Sequence, residues 1–168
     1  MRKLVILPAV FALIIALLLA AGCGNKTTVK TPQGSADIEE GGGGGKITLN
    51  EGGEPATLEQ SQTAPTEAEL GAPIYPGAEY DAENSGSVNH DNQGASSASG
   101  TARFLTSDSY NSVVEWYRGK LGDEGSNVSD IAQWTIGDVM TGNYTIVQVE
   151  QSEPKTIISI THMAVSIQ

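Results

Sequence analysis

The chain is poor in the residues that carry chemistry. It holds one cysteine, Cys23, and two histidines, His90 and His162. A single thiol cannot close an intramolecular disulfide. With no second cysteine and the histidines far apart in sequence, no zinc-type ligand spacing exists, and neither a metal nor a cofactor is expected. Basic residues are scarce too, 9 against 20 acidic ones, for a formal net charge of -11. Binding a polyanion depends on neutralising phosphates with Lys and Arg, so this balance argues against nucleic acid as a partner. It also argues against a flat anionic membrane surface. Aromatics are 5% of the chain. Both tryptophans, and all the tyrosines but Tyr75, fall from Tyr80 onward, which places the core-building residues in the C-terminal half.

What the chain does have begins with a long apolar run. "MRKLVILPAVFALIIALLLAAGC" has a basic start at Arg2 and Lys3, an apolar stretch from Leu4 to Leu19, and small residues at Ala20, Ala21 and Gly22. Those are the three parts of an export signal, so everything downstream is expected outside the cytoplasm. A free exposed thiol is a liability in an oxidising compartment, and some other chemistry must use Cys23. Ala20, Ala21, Gly22 and Cys23 resemble the lipobox of bacterial lipoproteins, although that family most often has Leu where Ala20 stands. The resemblance implies cleavage between Gly22 and Cys23, a diacylglycerol on the Cys23 thiol, and often acylation of the new N-terminus. Two or three acyl chains give lasting membrane attachment where one gives marginal binding. In two-membrane bacteria the resemblance further implies that Gly24 permits passage to the outer membrane. The alternative, an uncleaved helix over 4–21, is just long enough to span a bilayer. It leaves the rest of the chain on the same side, because Arg2 and Lys3 hold the N-terminus inside.

From Gly24 to Gly71 the sequence is rich in glycine, acidic residues and scattered proline, with sparse hydrophobes and five consecutive glycines from Gly41 to Gly45. This composition predicts a disordered tether, holding the domain on the order of 40 Å from the lipid. "KITLN" as a short strand added to a sheet edge is the alternative. "GGGGGK" is not a phosphate loop, since Lys46 is followed by Ile47 rather than Ser or Thr.

The pattern changes at Ala72. Tyr110, Val113, Val114, Tyr117 and Leu121 share one helical face, with Ser107 and Asp108 as N-cap candidates and Gly122 as terminator. Around this helix, "GTARFLTS", "SDIAQWTIG", "NYTIVQVEQ" and "KTIISITHMAVSI" alternate as strands. In the last, the apolar set shifts from Ile158 and Ile160 to Met163, Val165 and Ile167, predicting a bulge near His162. The expected class is α+β: a two-layer domain with an antiparallel sheet of about five strands packed on one amphipathic helix, after a disordered tether. The expected organisation is a lipoprotein signal peptide over 1–22, lipidated Cys23 with its linker over 23–71, and the domain over 72–168. "PIYPGA" and "ARFLTSDSYNSVVEWYRGKLG" also resemble small exported or lipid-anchored bacterial domains, which supports the fold and supplies no catalytic residues.

No catalytic grouping is legible. His162 reads as a strand-face or bulge residue, and His90 as part of a polar, solvated loop. "DAENSGSVNHDN" matches a calcium loop in part, but Asn92 stands where a bidentate Glu is needed. No serine sits in a nucleophile motif. Asp123 and Glu124 read as solvated loop carboxylates. Trp116, off the main helical face, is the candidate contact for a partner, with an edge-of-core role as the alternative. The chain is too short for two lobes closing around a solute. The expectation is therefore a non-catalytic, membrane-anchored envelope lipoprotein that docks an envelope protein or extracellular ligand; the rival is a small extracytoplasmic enzyme.

Overall fold

The structure, a computed structural model, describes residues 26–32, 34–41, 44–51, 54–92 and 95–167. Gly22, Cys23 and the whole signal segment lie outside the described residues. The strands are β1 (Lys26–Thr31), β2 (Gly34–Gly41), β3 (Gly44–Glu51), β4 (Glu54–Ser61), β5 (Glu79–Tyr80), β6 (Gly86–Asn92), β7 (Ala95–Thr106), β8 (Ser126–Val128), β9 (Ile131–Asp138), β10 (Asn143–Ser152) and β11 (Lys155–Ile167). Two helices interrupt them, α1 (Glu67–Leu70) and α2 (Tyr110–Leu121), with short 3-10 turns at Ala82–Asn84 and Val139–Thr141. All the strands join one antiparallel sheet in the order β1-β2-β3-β4-β6-β7-β11-β10-β9-β8, with β5 beside β7.

This overturns the expected α+β class of about five strands on one helix. The sheet has eleven strands, and β1 to β4 run through the stretch whose composition predicted a coil. The physical reason lies in spacing. β1 has one apolar residue, Val29, and β2, β3 and β4 have pairs two positions apart, so neighbouring strands stack them side by side. Gly41 pairs with Gly44, Glu51 with Glu54 and Asn92 with Ala95, leaving two residues between the partners. The residues between are Gly42-Gly43, Gly52-Gly53 and Gln93-Gly94, the type that two-residue hairpins need. "KITLN" lies inside β3, a central member of this meander rather than an added edge.

The C-terminal half forms as expected around α2. Ser109, rather than Ser107 or Asp108, caps it by accepting from Ser112 N, and Gly122 ends it in a positive-φ conformation. Val113, Val114 and Tyr117 are buried against Ala102, Phe104, Val147, Val149, Ile158 and Ile160. Each such aliphatic side chain contributes roughly 1.5–3 kcal/mol on burial. Trp134 joins them and donates its indole N–H to Gly122 O at 2.9 Å, tying the helix end to β9.

The apolar side of the sheet changes along its width. Directly paired residues share a face. Ala102, Ile160, Val147 and Trp134 are successive partners on the helix-covered face. Thr27, Ile38, Ile47, Leu58, Val88, Ser99, Met163 and Tyr144 are successive partners on the other face. The switch falls between Ile160 and Met163, and the pairing of β11 with β7 runs without a break from Thr156–Thr106 to Ile167–Ala95. The shift in the apolar set that predicted a bulge near His162 is therefore a change of buried face.

Glu124 is more than a solvated loop carboxylate. Arg118 Nε donates to its Oε2 at 2.6 Å, a second guanidinium nitrogen reaches Oε1, and Asn127 Nδ2 donates to Oε1 at 2.9 Å. The Arg118 guanidinium, with Asn127, holds the Glu124 carboxyl well below the usual carboxylate range. A depressed folded value contributes stability that is present above the unfolded value of about 4.3 and lost as pH falls through the folded one. Thermal melts are therefore expected to lose stability below about pH 4. Glu124→Gln should flatten that acid slope; an unchanged slope would show that the clamp contributes nothing.

Candidate functional site

After β4 the chain crosses the helix-covered face as a strap. Thr66 caps α1 in a capping box with Glu69: Glu69 N donates to Thr66 Oγ1 and the Glu69 carboxylate accepts from Thr66 N at 2.7 Å. These bonds hold the Glu69 carboxyl below its ordinary range. The strap is fastened at intervals. Tyr80 donates to Ser61 O at 3.2 Å, Thr145 to Leu70 O at 2.8 Å and Tyr117 to Pro73 O at 3.1 Å, while Tyr75 donates to Asp108 at 2.7 Å. Leu70 and Ala72, in the strap itself, are buried.

Between this strap and β6, β7 and β11 lies a pocket of about 590 Å³. Its size follows from the floor, where "ASGTA" (98–102) supplies nothing larger than threonine. A Cβ at Gly100 would stand in ordinary contact with Ser87, so the backbone leaves room there that no side chain fills. Leu70, Pro65 and Tyr80 give apolar wall; Ser61, Ser87 and Asn89 give hydroxyl and amide groups.

His162 lines this pocket, paired across the sheet with Gly100. Its Nδ1 lies 2.9 Å from Thr145 Oγ1. Thr145 has one hydroxyl proton and donates it to the Leu70 carbonyl, which can only accept. The Thr145 oxygen must therefore accept from His162, placing the imidazole proton on Nδ1. Gly71 is required at this junction: its φ is +65°, and a Cβ there would come within 3.0 Å of Thr145 Oγ1.

This geometry limits the chemistry. A general base activates a hydroxyl by accepting its proton, whereas here the Thr145 proton is committed to a carbonyl and the residue is buried. Thr145 is not set up as a nucleophile. The charged lining residues are Glu59, which pairs with Lys46 at 2.8 Å, and Glu69; the lining has no Lys or Arg. Among the described residues no group of three His, Cys, Asp or Glu side chains could hold a metal ion.

Thr145→Val tests the relay. It removes the hydroxyl and leaves a buried carbonyl and an imidazole N–H unpaired, each costing about 1–3 kcal/mol. A loss of roughly 2–4 kcal/mol is expected, together with loss of the single Nδ1–H tautomer in imidazole ¹⁵N spectra. Retention of both would refute the assigned proton.

The candidates read from sequence fall elsewhere. Trp116 is partly buried, 5.3 Å from Tyr75 and 4.8 Å from Tyr117 in edge-on contacts, with the Lys120 ammonium 5.6 Å from its ring centre. His90, in β6, is on the face opposite to His162. Asp81, first in the partial calcium motif, instead caps the turn Ala82–Asn84 by accepting from Asn84 N at 3.3 Å. Cys23 and Gly22 lie outside the described residues. Sequence reading missed the His162 pocket; its visible signal was the run of small residues at 98–102 together with the face switch around His162. No protein-family model, curated protein or solved structure matches this chain.

Proposed function

We propose an extracytoplasmic protein, anchored through lipid on Cys23, that binds a small ligand without negative charge in the pocket under the strap. The observation that carries the binding half is the His162 relay: an imidazole held by Thr145 through Nδ1 in the lining of a roomy, small-floored pocket. The ligand's character follows from the lining. With Glu59 paired to Lys46 and no cation among the lining residues, the Glu69 carboxylate disfavours an anion, while the imidazole, hydroxyls and an amide suit a neutral or cationic molecule that can hydrogen-bond. The anchor half is supported by the signal and lipobox-like residues. No helix among the described residues is long and apolar enough to cross a membrane.

The pocket can be filled from its floor. Gly100→Leu puts a branched side chain opposite His162 at a strand position whose backbone accepts it. Small molecules released on denaturing the envelope-purified wild type and variant are compared by mass spectrometry. A compound held by wild type and depleted at least about tenfold in Gly100→Leu, a loss of ~1.4 kcal/mol, is the expected result. Equal recovery from both, with matching melts, would sink the binding assignment.

A further inference from the structure

The strands nearest Cys23 are amphipathic in a way that the pocket does not use. On one face of β1 to β4 lie Lys26 with Glu39 at 2.9 Å, Lys46 with Glu59 at 2.8 Å, and Thr28 donating to Asp37 at 2.6 Å. On the other face the successive partners Ile38, Ile47, Leu58 and Val88 form an apolar row, flanked by Val29, Ala36, Leu49 and Ala56. Leu49, Leu58 and Val88 are 37%, 40% and 44% exposed, whereas Ala36 and Ile38 on β2 are buried. Among the described residues, the elements packed chiefly on β1 to β4 are their sheet neighbours and the turn Ala82–Asn84 beside β4. An apolar face of this kind on an acidic, otherwise polar meander calls for an occupant.

Position in the chain identifies it. Cys23 precedes Lys26 by three residues, a reach of at most about 10 Å. The row begins beside β1, since Ile38 pairs with Thr27, and three inter-strand steps carry it about 14 Å to Val88. An acylated Cys23 would thus hold the leading edge of the sheet at the lipid interface. Anchoring makes the second contact intramolecular, so a small apolar face suffices. The charged pairs point away on the opposite side.

We infer that the exposed part of this face, on β3, β4 and β6, rests on the membrane lipid, so that the sheet lies against the bilayer instead of hanging on a leash. The inference rests on the lipid-anchor reading of Cys23. The test uses the full chain, recovered in membranes and reconstituted into phosphatidylcholine vesicles containing doxyl-labelled lipid. Because Cys23 is the only cysteine and its thiol is acylated on this reading, an engineered cysteine carries the only label. Leu58→Cys and Thr57→Cys lie on opposite faces of β4, and Val88→Cys with Ser87→Cys repeats the comparison on β6 should the first pair fold poorly. Several-fold stronger quenching of a polarity-sensitive dye at 58 and 88 than at 57 and 87 is the expected result. Equal quenching on both faces, or efficient disulfide pairing of Leu58→Cys between two copies, would overturn the inference. Absence of the wild-type chain from the membrane fraction would instead overturn the anchor itself, and this inference with it.

Discussion

Tyr117→Ala is expected to lower stability by about 3–5 kcal/mol, the cost of removing a large buried aromatic whose cavity cannot fully collapse. Tyr117 is 0% exposed and joins α2 to the sheet. Its ring stands edge-on to Trp116 at 4.8 Å and tilted against Trp134 at 5.5 Å, and burial pushes its phenol well above the ordinary range, so it stays neutral. In a chain of this size the loss corresponds to a fall in Tm of roughly 10 °C or more. Tyr117→Phe separates the two roles of the residue. It keeps the ring but frees the Pro73 carbonyl, for about 1 kcal/mol, and loosens the strap over the His162 pocket. Thermal melts check both variants; a Tyr117→Ala protein melting within a few degrees of wild type would contradict the packing described.

Cys23→Ala is expected to abolish fatty-acid incorporation altogether and to leave the chain at its unprocessed size. The cause is chemical. In the proposed anchor the lipid-bearing atom is the thiol; the chain has one cysteine, and alanine offers no atom for a thioether. The apolar run over 4–19 can still hold an uncleaved chain in the membrane, so the decisive readout is metabolic labelling with a fatty acid and the mobility of the chain, rather than its membrane fraction. A labelled, mature-sized Cys23→Ala protein would remove the anchor from the proposal.

Half of this fold was legible in the sequence, and the other half was hidden for a definable reason. The helix face from Tyr110 to Leu121, its Gly122 terminator and the strands β7, β9, β10 and β11 stand out because their apolar residues are numerous as well as periodic. In β1 to β4 the periodicity is present, as in Ala36 and Ile38 or Ile47 and Leu49, but apolar residues are thinly spread. By apolar content alone, such a stretch reads as coil. Turn punctuation carries the missing signal: Pro32 to Gly34, Gly41 to Gly45 and Glu51 to Glu54 recur at intervals of about ten residues, the spacing of a β-meander. The mistaken bulge has a related origin, since a core on one face predicts a bulge where the sheet instead changes its apolar side near His162. The pocket could not be located from sequence because its strap, floor and imidazole come from segments distant in the chain. Leu70, Gly100, Thr145 and His162 meet only through register.

One spectrum bears most directly on the proposal of an anchored, ligand-binding protein: the native mass of the wild-type chain released from its envelope in mild detergent. The expected species begins at Cys23, carries two or three acyl chains, and holds a small molecule that leaves on gentle activation. A chain that begins at Met1 without acyl mass, or a lipidated chain with no bound molecule, would contradict the anchor in the first case and the pocket's function in the second.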